Sequence, residues 1–238
     1  MTARSRTLNH PKTKAPRDLV VLAIDLGGSH VKVRLSSGSD RRAAVSGAAM
    51  SPRKMVEAVR KLAADWQYDV IGMGYPGPVS GNKPALDPHN LGPGWKDFDF
   101  PAAFGKPVRL VNDAVMQAIG DYNGGNMLFL GLGTGLGSAM IVDHVCLPME
   151  LAHLPYKKQT FEDFVGERGL KKYGKKKWRK SVEKVVGTLQ AALLPHDTVI
   201  GGGNVEKLET LPEGCRAGDN ENAFLGGFRL WQNENLRF

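Results

Sequence analysis

Residues 19–29 read LVVLAIDLGGS, an apolar run that ends in an aspartate and a glycine turn. The run predicts a buried strand, and residues 31–37, VKVRLSS, alternate in polarity as a second strand would. Three further glycine clusters also follow apolar strands, namely GYPG (74–77), GLGTGLG (131–137) and GGGN (201–204). Strands and helices alternate twice in the same order, which predicts an α/β fold made of two related halves.

By composition and pattern, the chain divides into three parts. Residues 1–18 are polar, basic and interrupted by prolines, so we expect a flexible basic tail. We expect residues 19–111 and 112–238 to form an N-terminal and a C-terminal α/β lobe around a central cleft. We also expect the last helix, which begins near Asn222, to pack back on the N-terminal lobe.

The net charge is concentrated in two segments. The 238 residues carry 32 Lys and Arg against 24 Asp and Glu, a formal charge of +8. Residues 1–18 hold +4 and residues 157–180 hold +7, so the remainder is slightly acidic at −3. Such local basicity indicates one anionic partner at a defined place, rather than a surface that is basic throughout.

Composition excludes several classes of protein. A chain that is 42% hydrophobic and 24% charged is not disordered throughout. Its apolar runs are too short and too interrupted to span a membrane. Two cysteines, Cys146 and Cys215, exclude a disulfide scaffold and a four-cysteine zinc site, and leave one long-range disulfide open. Residues 1–18 lack the apolar stretch of a secretory signal, so we expect a cytoplasmic protein.

The glycine loops favour phosphate binding. Backbone N–H groups of a glycine-rich turn can point into one concavity, because no Cβ blocks the approach of a phosphate. A tight hairpin explains a single loop equally well, whereas four loops at strand ends favour a ligand. The Walker A pattern is absent, and GLGTGLG lies in a predicted hairpin rather than before a crossover helix, which argues against a Rossmann dinucleotide site.

Two aspartates stand at predicted strand ends. Asp25 closes the first strand, where a carboxylate can either cap the turn or hold Mg²⁺ beside phosphate, usually through water. Asn112 and Asp113 join a strand to a helix, a position where both residue types are favoured as N-caps. Asp113 could also accept the proton of a hydroxyl group that attacks a phosphate.

Glu150, His153 and Glu162 form a third candidate set. Carboxylates and an imidazole that converge on one pocket suit a polyhydroxylated substrate, since each hydroxyl both donates and accepts hydrogen bonds. His153 on its own is better explained as an ordinary core or surface histidine. The set as a whole indicates a polyhydroxylated ligand.

Five segments follow one another in the order of a known family: DLGGSHVK (25–32), GYPGPV (74–79), VNDA (111–114), GLGTGLGSAM (131–140) and VIGGGN (199–204). From about Val20 to Trp231 the chain thereby resembles the ROK family of sugar kinases, whose fold is the two-lobed, ribonuclease-H-like fold of the actin-like ATPase superfamily. Within that family it is most similar to polyphosphate glucokinases, through HNLGPGW (89–95), MELAHLPY (149–156) and TFEDFVGERGL (160–170).

The resemblance implies a role for each matching residue. Asp113 would be the general base toward the 6-hydroxyl of glucose or a related hexose, and Asp25 would hold Mg²⁺ through water. The sugar ligands would be Asn90, Asn112, Glu150, His153 and Glu162. The phosphoryl donor, polyphosphate or ATP, would be framed by Asp25, Gly27, Gly28, Ser29, Lys32, Gly133, Thr134, Gly135, Gly202 and Gly203.

The chain departs from the family pattern in three places. The segment from Tyr156 to Phe161 stands in place of the family's C-x-C-G-x-x-G-C zinc motif, so we expect no zinc site. Ala152 stands where the family's E-x-G-H motif has glycine. Residues 143–148 lack the glycine of a hairpin turn, from which we expect a displaced sugar loop. Residues 1–18 are too polar for the helix-turn-helix of the family's repressors, so we expect an enzyme.

The basic segment KKYGKKKWRK (171–180) bears on the phosphoryl donor. Runs of lysine are usually solvated helix faces, and Glu167, four residues before Lys171, supports that interpretation. The segment nevertheless contains no acid, which favours a track for polyphosphate. This track would be made of Lys171, Lys172, Lys175, Lys176, Lys177 and Arg179. Nucleic acid ranks lower as a partner, although Tyr173 and Trp178 could stack on its bases.

Three functions stay open on the sequence. The first is transfer of a phosphoryl group from polyphosphate, ATP or both to the 6-hydroxyl of glucose, giving glucose 6-phosphate. The second is an ATP-dependent hexose or amino-sugar kinase of the same family. The third is a sugar- or polyanion-binding protein without catalysis on the same fold. A homodimer is common in the family and is not required by any segment of this chain.

Overall fold

The computed structural model describes residues 19–238, so the predicted tail of residues 1–18 lies outside the described residues. Its first part forms β1 (Val21–Leu26), β2 (His30–Leu35), β3 (Arg41–Val45), α1 (Pro52–Leu62), β4 (Val70–Tyr75), β5 (Val79–Ser80), β6 (Lys83–Pro84), α2 (Phe100–Phe104) and β7 (Val108–Asn112). Five of these strands form the first sheet, in the order β3-β2-β1-β4-β7. Strand β2 is antiparallel to both of its neighbours, whereas β1, β4 and β7 are parallel.

The second part of the chain contains the second five-stranded sheet. Its elements are α3 (Asp113–Asp121), β8 (Asn126–Leu132), β9 (Leu136–Val142), β10 (Val145–Met149), β11 (Pro155–Tyr156), β12 (Gln159–Thr160), α4 (Phe161–Val165), α5 (Glu167–Leu193), β13 (Asp197–Gly201), β14 (Cys215–Ala217) and α6 (Asn222–Gln232). Two short 3-10 helices cover Leu151–His153 and Val205–Lys207. The sheet order is β10-β9-β8-β13-β14, with antiparallel strands on one side and parallel strands on the other. It therefore repeats the pattern of the first sheet.

Local sequence explains where the helices begin. Ser51 caps α1 by accepting a hydrogen bond from the backbone N–H of Lys54 at 3.4 Å. Pro52 follows in the first turn, where its missing N–H would have no partner in any case. Thr160 and Asp163 form a capping box at α4, with Oγ1 and Oδ2 2.8 Å apart.

A glycine interrupts the long basic helix. Gly174 has φ 73° and ψ 161°, so α5 is two helical pieces joined at this residue. After the break, Trp178 is fully buried and its indole N–H donates to the Val165 carbonyl at 2.7 Å. Tyr173 stacks on Phe164 with ring centroids 5.2 Å apart. Stacking of Trp178 on a nucleic-acid base, the basis of the lower-ranked alternative, is therefore contradicted.

The β9–β10 hairpin forms without a glycine. Asp143 and His144 take φ 45° and 70° in its turn, the left-handed region that Asp and His tolerate better than most residues. Pairing then continues in regular register as far as Met149, which lies opposite Ser138. The displacement expected from the missing glycine is not seen in this strand.

The last helix lies against the first sheet. Phe224 and Phe228 of α6 pack on the apolar side chains of β1 and β4. The indole N–H of Trp231 donates to the Ile71 carbonyl of β4 at 2.8 Å. This helix also makes extensive contact with α3, so it lies between the sheet and α3.

Glycines allow α6 to touch both neighbours with its main chain. A Cβ placed on Gly226 would lie 1.7 Å from the Met116 carbonyl oxygen of α3. A Cβ placed on Gly72 of β4 would lie 2.1 Å from the Gly227 carbonyl oxygen, and one on Gly120 of α3 would lie close to the start of α6. Any larger residue at these positions must push the elements apart.

Residues 19–238 contain neither a membrane-spanning helix nor a disulfide. Within residues 19–238, no helix is both long enough and apolar enough to cross a membrane. Both cysteines are free, with Cys146 buried in β10 and Cys215 partly buried in β14. The disulfide that the sequence left open therefore does not form.

We expect Gly226→Ala to destabilise the protein by at least about 2 kcal/mol, because the new methyl group overlaps a backbone carbonyl that cannot rotate away. Gly187→Ala is the matched control, since that residue is exposed in α5 and a Cβ there meets nothing within 4 Å. It should stabilise the protein by about 0.5–1 kcal/mol. Urea denaturation measures both, and equal effects of the two substitutions would contradict the close contact.

Candidate active site

The ends of three parallel strands bring two aspartates to one edge of the first sheet. Asp25 lies near the end of β1, and Asp113 begins α3 directly after β7. Between them runs β4, which pairs through Gly74 with Asp25 and through Tyr75 with Asn112. A Cβ on Gly74 would lie 3.3 Å from the Asp113 Cα, so glycine at this position lets α3 start close to the sheet.

The surroundings of Asp113 favour its protonated form. Burial raises the pKa of Asp113 to about 7, and the carboxylates of Asp25 and, to a lesser extent, Glu150 add to the rise. The backbone N–H of Ala114, 2.8 Å from Oδ1, acts in the opposite direction. A carboxyl group with a pKa near neutrality can take up and release a proton at physiological pH, as a general base must.

Asp25 is also largely desolvated, with 15% of its side chain exposed. Burial raises the pKa of Asp25, while the ammonium of Lys32, 3.5 Å from Oδ2, acts to lower it. The two residues are direct partners in the β1–β2 ladder, so strand register holds them together. The site thus contains two desolvated carboxylates and one nearby lysine.

This donor set fits a magnesium ion that arrives with phosphate. Mg²⁺ usually binds through one or two carboxylates and takes its other ligands from water and substrate phosphates. Within residues 19–238, His, Cys, Asp and Glu side chains form no group of three or more that could hold a metal. Asp25 can therefore contribute a ligand to such a site, whereas the described residues form no cage of protein ligands.

Asn112 has the structural role that its position favours. Its Oδ1 accepts hydrogen bonds from the backbone N–H groups of Ala114 at 2.9 Å and Val115 at 3.3 Å, which caps α3. Its Nδ2 donates to the Gly77 carbonyl at 3.2 Å, which ties the GYPG loop to the start of α3. One N–H of the amide is left to donate to a ligand.

The first glycine turn lies under Asn90. A Cβ on Gly28 would lie 3.0 Å from the Cβ of Asn90, so the two segments are in contact. The N–H of Gly27 donates to the His30 carbonyl at 2.9 Å, and its carbonyl accepts from the Ser46 hydroxyl at 2.7 Å. The turn is therefore fixed by its own hydrogen bonds, and Asn90 lies beside it.

Glu150 and His153 lie together at the exit of β10. Their side chains approach to 3.6 Å between Oε2 and Nε2, and both are more than 60% exposed. Ser138 holds this exit, since its hydroxyl donates to the Met149 carbonyl at 2.8 Å and accepts from the Leu151 N–H at 3.2 Å. The pair is open to solvent, and Glu150 is close enough to influence the pKa of Asp113.

Glu162 lies against the loop GLGTGLG (131–137), called here the second glycine loop. Its Oε2 would be 2.5 Å from a Cβ on Gly135, so glycine there makes room for the carboxylate. The backbone N–H of Glu167 donates to the Gly133 carbonyl at 3.0 Å and the Thr134 carbonyl at 3.2 Å. The beginning of α5 is therefore joined directly to this loop.

The loop GGGN (201–204), called here the third glycine loop, touches the second glycine loop. The Asn204 amide donates to the Gly133 carbonyl at 2.9 Å, and its backbone N–H donates to the Leu132 carbonyl, also at 2.9 Å. Gly202 has φ 86°, and a Cβ there would lie 2.4 Å from the Leu132 carbonyl oxygen. The second and third glycine loops thus form one continuous surface, with Gly203 between Gly202 and Asn204.

The basic segment is only partly available to a ligand. Lys171 pairs with Glu167 at 2.7 Å, and Arg179 pairs with Glu209 and donates to the Lys207 carbonyl. The remaining track residues are exposed, namely Lys172, Lys175, Lys176 and Lys177.

Sequence reasoning missed three residues in or near the site. Ser138 is one of several small residues in a glycine-rich strand, and its spacing gives no sign of its role. Arg34 shares a strand face with Lys32, and the alternation of polarity along β2 indicates this from the sequence. Glu221 also influences the pKa of Asp25, but nothing in the sequence connects these two distant residues.

A family model described as the ROK family matches residues 21–147, more than half of the chain. The chain belongs to the ROK family. The assignment made from the motifs is thereby confirmed.

Two curated relatives of this ROK protein differ in how much of their length it spans. The bifunctional enzyme NanE/NanK of Brucella melitensis is 31% identical over 139 residues, which are 51% of this chain and 26% of the relative. The polyphosphate glucokinase of Mycobacterium leprae is 24% identical over 237 residues, and the match covers 88% of this chain and 73% of the relative. The chain therefore spans about a quarter of the Brucella enzyme.

A solved structure extends the ROK likeness to the fold. The inorganic polyphosphate/ATP-glucomannokinase of Arthrobacter sp. strain KM aligns with a TM-score of 0.77 at 21% identity. The alignment covers 88% of this chain and 97% of that one. The predicted actin-like ATPase fold is confirmed.

We expect Asp113→Asn to stabilise the fold at alkaline pH. The Asp113 pKa is about 7 in the folded protein against 3.8 for the ordinary side chain, so ionisation above pH 7 costs folding free energy. The full shift corresponds to about 4 kcal/mol. Because the side chain keeps some contact with water, which screens its charge, we expect a gain of about 2 kcal/mol at pH 8. Most of the gain should be lost as the pH falls to 4, close to the ordinary pKa of 3.8, and the rest below about pH 3, where both states bind the proton.

Urea denaturation of both proteins at pH 8 and pH 4 measures this difference. Asp143→Asn, at an exposed turn, serves as the control and should show no pH-dependent gain. A stabilisation by Asp113→Asn of equal size at both pH values would contradict the raised pKa.

Proposed function

We propose that this ROK-family protein is a sugar kinase that transfers a phosphoryl group from polyphosphate, ATP or both to the 6-hydroxyl of glucose. The observation that carries the proposal is Asp113, a desolvated carboxylate with a pKa of about 7 beside Asp25 at the end of the first sheet. The names of the Mycobacterium and Arthrobacter relatives support the choice of glucose and of these two donors.

Asp113 would act as the general base. As the sugar hydroxyl attacks the terminal phosphate of the donor, the Asp113 carboxylate accepts the hydroxyl proton. The Ala114 N–H holds Oδ1, and the N-cap formed by Asn112 fixes the start of α3, so the carboxylate is oriented before the sugar arrives. Proton transfer from a bound hydroxyl needs this kind of preorganisation.

Asp25 and Lys32 would hold the donor side of the site. A bound Mg²⁺ would supply positive charge that offsets the charge of the donor phosphates, and Asp25 is the residue that would hold it, through water. Lys32, 3.5 Å from Asp25, contributes a second positive charge at the same edge of the sheet. The first glycine turn would contact the phosphate on one side, through Gly27, Gly28 and Ser29. The second and third glycine loops would contact it on the other side, through Gly133, Thr134, Gly135, Gly202 and Gly203.

The sugar would be bound by polar groups around Asp113. Glu150, His153 and Glu162 offer carboxylates and an imidazole, and Asn90 and Asn112 offer amides, which suits a ligand whose hydroxyls both donate and accept. Glu150 and His153 are more than 60% exposed, so a sugar can reach them. Closure of the site over the sugar would exclude water, which otherwise competes as the acceptor of the phosphoryl group.

The proposed polyphosphate track on α5 begins next to the loop GLGTGLG (131–137). The first residue of α5, Glu167, is hydrogen-bonded to the second glycine loop, so the helical piece that carries Lys171 and Lys172 starts at the proposed donor side of the site, and Lys175, Lys176 and Lys177 follow after the break at Gly174. Consecutive residues of a helix point about 100° apart, so Lys175, Lys176 and Lys177 spread over about 200°. A straight polyanion along the helix would therefore engage only some of these lysines at once.

The test is the formation of sugar phosphate by purified protein with Mg²⁺, glucose, and either polyphosphate or ATP. We expect glucose 6-phosphate, and we expect Asp113→Asn to lower turnover by about 10²–10⁴-fold while the protein stays folded. Below pH 7 the wild-type kcat/KM should fall by about tenfold per pH unit, because the base becomes protonated.

Three results of this assay would favour other functions. Product from ATP and an amino sugar or another hexose, but not from glucose, would favour the family's ATP-dependent kinases. No product with either donor across several hexoses would favour a binding protein without catalysis. Turnover by Asp113→Asn close to that of wild type would remove Asp113 from the role of base.

Replacement of Lys175, Lys176 and Lys177 by Gln should raise KM for polyphosphate far more than KM for ATP, because ATP presents a shorter anion. The effect should shrink as salt rises. Lys184→Gln, exposed farther along the same helix, is the control and should change neither value. Equal losses with both donors would mean that the three lysines do not form a polyphosphate track.

A further inference from the structure

The face of the first sheet that carries Asp25 also carries a row of cations. Lys32 is paired with Asp25, and Arg34, two residues further along β2, shares its face. Arg41 of β3 is paired directly with Arg34, which puts its side chain on that face as well. The three cations, called here the sheet cations, therefore run from Asp25 toward the edge strand β3. Their side chains are 28% to 53% exposed, so a ligand can reach them.

Glu221 lies over the two outer cations. It approaches Arg34 to 3.6 Å and Arg41 to 2.5 Å. Glu221 immediately precedes α6, and this helix packs on the same face of the sheet, since a Cβ on Gly227 would lie 2.7 Å from the Cβ of Ala23. Ala23 is the direct partner of Arg34 in the β1–β2 ladder.

The charges at this place do not balance. Like charges directly opposite each other destabilise an antiparallel strand pair, and here a single carboxylate faces two guanidinium groups. Exposed ion pairs of this kind contribute little to stability, so stability alone gives little reason to hold two arginines together. Two adjacent guanidinium groups do, however, match the oxygens of a phosphate.

We propose that Arg34 and Arg41 bind a phosphate of the donor beyond the one that is transferred, and that Glu221 occupies their guanidinium groups when the donor is absent. The inference rests on the proposed function, because it takes the transferred phosphate to bind beside Asp25 and Lys32. Same-face residues along a strand are about 7 Å apart. A chain of linked phosphates bridges that distance, so one donor can contact Lys32 and the two arginines together.

The sheet cations differ from the lysines of α5 in geometry. Strand pairing puts Lys32, Arg34 and Arg41 on one face, whereas consecutive helical lysines point in different directions. A linear anion can therefore meet all three sheet cations at once. The phosphate would take the place of the Glu221 carboxylate. Both arginines are therefore paired with an anion before and after the donor binds.

Calorimetric titration of the full chain with sodium tripolyphosphate, without sugar, tests this site independently of catalysis. We expect the double substitution Arg34→Gln and Arg41→Gln to weaken binding by about tenfold or more. We expect Glu221→Gln to strengthen it by about threefold, because the competing carboxylate is removed. Arg53→Gln, exposed on α1, which packs on the opposite face of the sheet, is the matched control and should bind like wild type.

Binding by the double variant equal to that of Arg53→Gln would overturn the site. Unchanged or weaker binding by Glu221→Gln would overturn the role given to Glu221. If the double variant and Glu221→Gln both melt at a lower temperature, and their binding weakens in proportion to the loss of stability, the arginines only hold α6 to the sheet. That result would also overturn the proposal. Tripolyphosphate binding as expected, together with no sugar phosphate from any donor, would keep the anion site and reject the proposed function.

Steady-state assays then separate the two donors. If the double variant has a lower kcat/KM with both polyphosphate and ATP, the arginines contact a phosphate that both donors carry. If kcat/KM is lower with polyphosphate alone, the arginines contact a phosphate that lies farther along the polyphosphate than ATP extends. No loss with either donor overturns the role of the arginines in the reaction.

Discussion

The position of α3 depends on direct main-chain contact with α6. Gly120 of α3 and Gly226 of α6 remove the side chains between the two helices, and Gly72 of β4 does the same between α6 and the first sheet. Main chain packed on main chain leaves no rotamer that can adjust, so the distance between these elements is set rigidly. Asp113 is the first residue of α3, so these contacts, together with the pairing of β1, β4 and β7, hold it beside Asp25.

This rigid placement has an electrostatic cost. It holds Asp113 and Asp25 near each other in a place with little water, where burial raises the pKa of both. Lys32 offsets part of this effect at Asp25 only. A protein selected for stability alone would not keep two such carboxylates together, whereas a site that must bind cationic and phosphate-bearing ligands gains from charges arranged in advance.

Much of the fold could be read from local sequence. Apolar runs that end in glycine turns mark the strands, and Asn112 and Ser51 mark helix starts, because caps and turns depend on neighbours only a few residues away. The break at Gly174 could not be found this way, since an isolated glycine is tolerated in a helix and the burial of Trp178 is decided by Val165 and distant core residues. The contact of Glu221 with β2 and β3 likewise joins residues far apart in sequence. The roles of Asp113, Glu150 and the other site residues stay predictions, because motif spacing cannot supply their chemistry.

The position of α6 also means that the packing of the first sheet is completed late in synthesis. Val21 and Ala23 lie in β1, yet the aromatic side chains that cover them, Phe224 and Phe228, are synthesised about 200 residues later. Until then one apolar face of the first sheet has no partner, and such a surface is prone to aggregation and is a target for chaperones. Loss of α6 would therefore uncover one face of β1, the strand that carries Asp25.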